Sequence, residues 1–191
     1  MADQPGSHLN LAVVYESQNR SDSAEVHYRN AIAMDPDFLP ARTNLANLYN
    51  RTQRNKLAER ELRRAIELFP DDGELHYSLG LLFAEEQRLE EAVESLSKAV
   101  ELLPEHARKQ YNYALTLQHL GRRREAETVF LKAHEIAPLE PDIVNALAIL
   151  CIQEKKWYRA LAYAEKLVKL VPDAPGPHQM VQQLNEQVNR L

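Results

Sequence analysis

Apolar and small residues recur along the chain at a fixed interval of 34 residues. A column of mostly large apolar residues is followed at once by a column of small residues, and a second bulky column comes four residues after the first. These columns are Leu11, Leu45, Leu79, Tyr113 and Leu147; Ala12, Ala46, Gly80, Ala114 and Ala148; and Tyr15, Tyr49, Phe83, Leu117 and Cys151. Because residues four apart share one face of a helix, the pattern predicts one amphipathic helix in each interval.

A second set of columns predicts a second helix in each interval. It consists of Ala24, Ala58, Ala92, Ala126 and Ala160, then Tyr28, Leu62, Leu96 and Phe130, then Ala31, Ala65, Ala99 and Ala133, with Ala164 and Leu167 in the last interval. Proline disfavours helical backbone in the residue before it. We therefore expect these helices to end before Pro36, Pro70, Pro104, Pro138 and Pro172. Asp37, Asp71 and Asp173 follow and are expected to offer carboxylates to the next helix.

The interval predicts an all-α solenoid of stacked helix-turn-helix hairpins, because helices this short need neighbours to be stable. The expected division is a single domain over 1–191, with five repeats and a capping helix. The repeats are 5–38, 39–72, 73–106, 107–140 and 141–174, and the capping helix is 175–191. That helix places apolar residues along one side, at Met180, Val181, Leu184, Val188 and Leu191.

The start of the chain differs from its end. Met1–Gly6 leads almost directly into the first hairpin, so the upstream face is expected to be uncapped. We expect either that the chain is a fragment of a larger polypeptide or that two copies meet there, and the first is favoured.

The columns resemble the tetratricopeptide repeat family, whose pattern is a bulky residue, Leu-Gly/Ala, Tyr, then Ala, aromatic, Ala and Pro. The resemblance covers almost all of the 191 residues. The bulky first slot departs from the family's Trp and holds His8, Arg42, His76, Gln110 and Val144. The resemblance implies a right-handed superhelix whose first helices line a concave groove for a peptide of a partner protein.

Eight groove residues are predicted from these slots: Asn10, Asn44, Asn47, Tyr77, Arg108, Tyr111, Asn112 and Asn145. In the family such asparagines hold ligand backbone, since an amide both donates and accepts. The alternative is that the asparagines satisfy local helix groups. Tyrosine suits a wet groove because it combines an apolar face with a polar tip, so Tyr77 and Tyr111 are the expected anchors. Arg108 could pair with one acidic ligand group.

The family's two-carboxylate clamp for chaperone tails is disfavoured here. In the first three repeats only Asn44 matches it, and in repeats two to four the first lysine is missing.

Composition narrows the function further. A net charge of -5 argues against nonspecific nucleic-acid binding, which needs a concentrated basic surface. The arginines between the paired helices, Arg20, Arg54, Arg88 and Arg122, are interpreted as solvated. The single cysteine, Cys151, lies in a core column, which favours a small hydrophobe over a nucleophile.

No histidine spacing indicates a metal site, and no cofactor is expected. No apolar run indicates membrane insertion and no signal peptide is evident, so a cytoplasmic location is expected, or an extracytoplasmic one for a piece of an exported protein.

No catalytic grouping stands out from the repeat, so we expect no enzyme within these residues. The leading hypothesis is a non-catalytic scaffold that binds a peptide segment of a partner in its groove. A second hypothesis is the regulatory or substrate-recruiting part of a larger enzyme or redox protein. A third is an oligomerisation module that self-associates through the uncapped first hairpin.

Overall fold

The computed structural model describes residues 4–190, which form eleven α-helices and no strand. The all-α prediction is therefore confirmed. The first helices of the five hairpins are α1 (Pro5–Ser17), α3 (Leu39–Arg51), α5 (Gly73–Glu85), α7 (Ala107–His119) and α9 (Pro141–Gln153). The second helices are α2 (Ser21–Met34), α4 (Asn55–Leu68), α6 (Leu89–Leu102), α8 (Arg123–Ile136) and α10 (Trp157–Leu170). A last helix, α11, spans Pro175–Val188. Leu191 of the predicted capping helix and the first three residues of Met1–Gly6 lie outside the described residues.

Each second helix ends two residues before its proline, as the sequence predicts. The residue between the helix and the proline has left helical geometry, for example Asp35 at φ -140° and Ala137 at φ -131°. This is the effect of the proline ring on the residue before it.

The predicted role of Asp37, Asp71 and Asp173 at the following helices is wrong. Those helices begin one residue later than a cap at these positions requires, so the N-cap residues are Phe38, Asp72 and Ala174. Only Asp72 among these three accepts side-chain hydrogen bonds, from the backbone N–H groups of Glu74 and Leu75. A carboxylate one position upstream lies outside the first turn and cannot reach those donors.

The loop between the two helices of each hairpin contains one residue with left-handed backbone. These residues are Asn19 (φ 58°), Gln53 (φ 59°), Gln87 (φ 61°), Gly121 (φ 81°) and Lys155 (φ 57°). They are spaced 34 residues apart, so the same bend is built five times.

The chain divides into two compact units, Met1–Leu102 (unit 1) and Leu103–Leu191 (unit 2). The single domain over 1–191 stays a prediction. In unit 1 the core runs through the columns read from the sequence, from Ala12 and Tyr28 to Leu79 and Phe83.

The small column of unit 1 allows its helices to approach closely. A Cβ placed on Gly80 of α5 would lie 2.6 Å from Cγ of Leu96 on α6. The glycine at this slot is therefore required by contact between the two helices of the hairpin.

Leu11 and Tyr113 depart from the predicted core. Leu11 is 45% exposed and Tyr113 is half-buried, whereas Leu45, Leu79 and Leu147 in the same column are buried. The buried members lie on helices that pack against the preceding hairpin of their own unit. Leu11 and Tyr113 lie on the first described helix of their units, where no such hairpin precedes them within the unit.

In unit 2 the last helix covers the hairpin before it. Leu184 of α11 is buried and belongs to one cluster with Cys151, Ala160 and Ala164, while Met180 and Val181 pack against that cluster. Across residues 4–190, no helix has both the length and the apolar character needed to cross a bilayer. The cytoplasmic location stays a prediction.

Candidate functional site

Four of the predicted groove residues lie on the first helices of unit 1. Asn10 on α1 and Asn47 on α3 are exposed, whereas Asn44 on α3 and Tyr77 on α5 are half-buried. These side chains therefore keep contact with solvent.

Asn44 has a local partner. Tyr28 is buried and its hydroxyl donates to Oε2 of Glu16 at 2.7 Å, and the Asn44 side chain hydrogen-bonds the same hydroxyl. Burial, then Glu16, raises the pKa of Tyr28, while the Asn44 contact lowers it. This hydrogen bond supports the alternative interpretation of Asn44, in which the amide pairs with a group of the protein itself, here the phenol of a buried tyrosine.

The loop arginines Arg54 and Arg88 of unit 1 contact aromatic rings and are not simply solvated, whereas Arg20 is exposed. The guanidinium of Arg54 lies 4.7 Å from the ring centre of Tyr49, and that of Arg88 lies 4.2 Å from the ring centre of Phe83. Arg54 also pairs with Glu25 at 2.5 Å, and the side chains of both arginines are only 34% exposed.

Arg88 repeats the same arrangement one hairpin later. It pairs with Glu59 at 2.6 Å and with Glu91 at 2.6 Å. The hydrogen bond from Arg88 lowers the pKa of Glu59 most, and Arg63 adds to that effect. Each of these arginines joins its own hairpin to a glutamate of the preceding one.

In unit 2 the structure brings Arg108 and Tyr111 together at one cavity of about 210 Å³, which we call the Tyr111 pocket. Its lining is Ala107, Arg108 and Tyr111 of α7, Ala137 and Glu140 of the α8–α9 loop, and Asp142 and Ile143 of α9. Ala107, Ala137, Ile143 and the Tyr111 ring give it apolar walls, and Arg108, Glu140 and Asp142 add three charged groups to its lining.

The Tyr111 ring lies close to one aromatic ring and one guanidinium group of unit 2. Its ring centre lies 5.8 Å from that of Phe130, and the guanidinium of Arg108 lies 5.6 Å from it. Burial raises the pKa of Tyr111, and the charges of Asp142 and Glu140 raise it further, while Arg108 opposes them. The phenol therefore lies within the field of both carboxylates.

The positive charge of Arg108 is already offset within unit 2. Its Nη1 lies 3.2 Å from Oδ2 of Asp142, and both side chains are well exposed. Glu140 differs, because it is the N-cap residue of α9 and makes no side-chain cap bond. The described residues also supply it with no ion-pair partner.

The other predicted residues of unit 2 lie outside this pocket. Asn112 on α7 and Asn145 on α9 are half-buried, and the backbone carbonyl of Asn112 accepts from Oγ1 of Thr116 at 2.9 Å. Their role at a ligand stays a prediction.

The eight predicted groove residues do not include five that line the pocket: Ala107, Ala137, Glu140, Asp142 and Ile143. A signal was present, because the slots of Ala107 and Ala137 hold Leu39 and Phe69 two repeats earlier. Two small residues at slots that can hold large ones indicate space.

Cys151 is buried, and burial raises the pKa of its thiol. This agrees with its interpretation as a small hydrophobe. Among residues 4–190, no three or more His, Cys, Asp or Glu side chains are grouped to hold a metal ion.

Two models described as tetratricopeptide repeat match the chain, one over residues 43–107 and the other over residues 5–38 and 108–138. The chain belongs to the tetratricopeptide repeat family. Members of this family generally serve as scaffolds for protein or peptide partners. No curated protein sequence matches the chain significantly.

Solved structures share the tetratricopeptide repeat fold of this chain. YrrB, a tetratricopeptide repeat protein with an unusual peptide-binding site, matches with a TM-score of 0.75 at 22% identity, over 94% of this chain and 90% of YrrB. PilF of Pseudomonas aeruginosa matches with a TM-score of 0.76 at 21% sequence identity, over 97% of this chain and 90% of PilF. MamA from Desulfovibrio magneticus RS-1 matches with a TM-score of 0.77 at 14% sequence identity, over 90% of this chain and 96% of the MamA chain. At these identities the likeness establishes the fold.

Proposed function

We propose that this tetratricopeptide repeat protein is a non-catalytic scaffold that binds a peptide segment of a partner protein along its first helices. The observation that carries the proposal is the Tyr111 pocket, where an aromatic ring and charged groups converge on one cavity. Ligand sites in proteins are concave and mostly apolar, with a few placed polar groups, and this pocket has that character.

The remaining groove candidates support the same proposal. Tyr77 presents a half-buried ring on unit 1, and Asn10, Asn47 and Asn145 present amides that keep contact with solvent. Amides can pair with a peptide backbone of any sequence, so they would add affinity without selecting side chains. YrrB, with its peptide-binding site on the same fold, is a precedent for such binding.

Selection of peptides from a random library on the immobilised chain tests this function. Recovered peptides are labelled and titrated by fluorescence anisotropy against the wild type and the Tyr77→Ala/Tyr111→Ala variant. We expect the double variant to bind at least ~10-fold more weakly, because truncating an aromatic anchor at an interface costs about 2 kcal/mol or more.

Tyr158→Ala is the matched control. Tyr158 is a tyrosine of α10 with 68% exposure and lies outside the first helices. Its removal should leave the affinity unchanged. Equal affinity for the wild type and the double variant would remove the proposed anchors, and recovery of no binding peptide would contradict the function itself.

A second candidate function is self-association through the first hairpin. Leu11, Val13 and Val14 of α1 are 45%, 46% and 49% exposed, so they form an apolar surface on one helix. Sedimentation velocity over a range of concentrations tests it, with Leu11→Lys/Val14→Lys as the variant. We expect a dimer that the lysines abolish, whereas a monomer at every concentration would refute this candidate.

A further inference from the structure

We propose that the Tyr111 pocket receives a basic side chain, lysine or arginine, of the bound peptide. The inference rests on the proposed function and adds the chemical class of residue that unit 2 selects.

The charge around the pocket favours a cation. The lining carries one guanidinium, from Arg108, and two carboxylates, from Glu140 and Asp142. Arg108 and Asp142 pair at 3.2 Å and offset each other. The carboxylate of Glu140 remains without a cap bond or an ion-pair partner among the described residues. An incoming ammonium or guanidinium group would supply that partner.

The walls of the pocket suit the stem of a long basic side chain. Lysine and arginine bury their methylene groups on apolar surface and keep the charged end in a polar setting. Ala107, Ala137 and Ile143 provide that surface, and the volume of about 210 Å³ is several times the ~30 Å³ that one water occupies.

The ring of Tyr111 adds a third element of recognition. Cations are attracted to the face of an aromatic ring within about 6 Å of its centre. The protein's own Arg108 lies at 5.6 Å from that centre, so the ring already attracts a guanidinium.

Other side chains fit less well. An acidic side chain would meet Glu140 and Asp142, and Arg108, the cation of the described lining, is already paired. A purely apolar side chain would cover Glu140 and remove it from water with no new partner, which is unfavourable. The acidic ligand group predicted for Arg108 is therefore disfavoured at this pocket.

A titration followed by nuclear magnetic resonance tests the preference without a known partner. The probe is N-acetyl-L-arginine methylamide, and the comparison compounds are the norleucine and glutamate analogues. We expect the arginine compound to shift the amide signals of Tyr111 and Ile143 with an affinity at least ~3-fold higher than that of either comparison compound. Equal shifts from all three compounds would overturn the proposal.

Charge variants with matched controls locate the effect. Glu140→Gln should weaken the arginine compound roughly 3- to 10-fold, since a charge-assisted hydrogen bond is replaced by a neutral one. Glu165→Gln removes an exposed carboxylate of α10 and should change little. If both variants weaken binding equally, the probe senses only net charge and the proposal is wrong.

Arg108→Gln should have the opposite effect. It releases Asp142 and removes a cation from the lining of the pocket, so the arginine compound should bind more tightly, by about 2- to 5-fold. Arg123→Gln changes the net charge equally at the exposed first residue of α8 and is the control. No gain in Arg108→Gln beyond that of the control would contradict the pocket geometry.

A selected library peptide separates failure of this inference from failure of the proposed function. Each basic residue of the peptide is replaced in turn by norleucine. One replacement should weaken binding in the wild type and much less in Glu140→Gln. A peptide that binds tightly with every basic residue replaced supports the scaffold function and refutes the basic subsite.

Discussion

Hairpins 2 and 3 of unit 1 and hairpins 4 and 5 of unit 2 place different residues at the same slots. Unit 1 has Leu39 and Phe69 at the slots that hold Ala107 and Ala137 in unit 2. The two large side chains pack against the buried cluster of unit 1. Thr43 stands where Tyr111 stands. Large side chains at these two slots therefore accompany packing in unit 1, and small ones accompany the open pocket in unit 2.

The acidic slot at the start of the following helix also differs in use. Asp72 of unit 1 caps α5, and its carboxylate accepts from the backbone of Glu74 and Leu75. Glu140 of unit 2 holds the same position before α9 and makes no cap bond. The shorter side chain caps its helix, and the longer one lines the Tyr111 pocket.

The loops of the two units differ as well. In unit 1 each of Arg54 and Arg88 covers an aromatic ring and pairs with a glutamate of the preceding hairpin. In unit 2 the slots of these aromatic rings hold Leu117 and Cys151. Lys156, at the slot of the loop arginines, still pairs with Glu127 of the preceding hairpin, but no aromatic ring stands at the slot beside it. Unit 1 therefore concentrates both aromatic packing and charge pairing in its loops.

The largest expected effect comes from the ring that unit 2 lacks. Phe83→Ala should destabilise unit 1 by about 3–5 kcal/mol, since it removes a buried ring and leaves a cavity. Cys151→Ala at the same slot of unit 2 removes a single sulfur atom and should cost about 1 kcal/mol. Amide hydrogen exchange, resolved by helix, measures the two in α5–α6 and α9–α10. Equal losses would show that the ring slot does not distinguish the units.

Filling the pocket is expected to have the next largest effect. Ala137→Phe gives unit 2 the residue that unit 1 carries at this slot. The arginine compound should then bind about 10-fold more weakly, equivalent to ~1.4 kcal/mol. Circular dichroism should show unchanged helix content, and unchanged affinity in the folded variant would mean that the cavity is not the binding site.

Substitutions in the small-residue column should destabilise both units, by adding a methyl group in unit 1 and by removing one in unit 2. Gly80→Ala adds a Cβ that meets Leu96 at 2.6 Å. Overpacking costs about 1–3 kcal/mol while the better helix former returns about 1, so a net loss near 1 kcal/mol is expected. Ala114→Gly in unit 2 should also lose about 1 kcal/mol. Hydrogen exchange in α5–α6 and α7–α8 checks both, and a gain for Gly80→Ala would contradict the close contact.

The smallest expected effect is a difference in pH dependence. Burial, with a smaller contribution from Lys166, lowers the pKa of His134 below its ordinary 6.5. The unfolded chain then binds a proton more readily than the folded one. The contribution is present above about pH 6.5 and is lost as the pH falls through the lowered value. His134→Gln should reduce the loss of protection in α8 and α10 between pH 7.5 and 5.5.

Glu59 of unit 1 has its own window lower on the pH scale. Its pKa is lowered from 4.5, mainly by Arg88, so its contribution is present above that value and lost as the pH falls below it. We expect the protection of α4 and α6 from amide hydrogen exchange to fall only below about pH 4.5 and to fall less in Glu59→Gln. A fall that is already present at pH 6, and is equal in Glu59→Gln, would contradict this assignment.

Most of the fold could be predicted from the sequence, because the spacing of columns such as Ala24 to Tyr28 determines which faces are buried. Every first helix begins at the first residue of its predicted repeat. The wrong predictions concern single residues. The N-cap at Asp72 instead of Asp71 depends on backbone angles, and the exposure of Leu11 depends on whether another helix packs on that face of α1.

The candidate site could be predicted only in part. Arg108 and Tyr111 follow from their slots on a first helix. Glu140 and Ala137 lie in a loop, and their approach to Tyr111 depends on the path of that loop and on missing bulk, neither of which a periodic pattern records.

The five left-handed residues of the hairpin loops have one more consequence. Asn19, Gln53, Gln87 and Lys155 hold a backbone conformation that costs an L-residue about 1–2 kcal/mol, whereas Gly121 adopts it without that cost. Glycine at the other four bends would relieve this strain, less about 0.5–1 kcal/mol of extra unfolded-chain freedom. These bends lie outside the buried columns and the pocket lining, so an engineer could adjust the thermal tolerance of each hairpin there while leaving ligand selection intact.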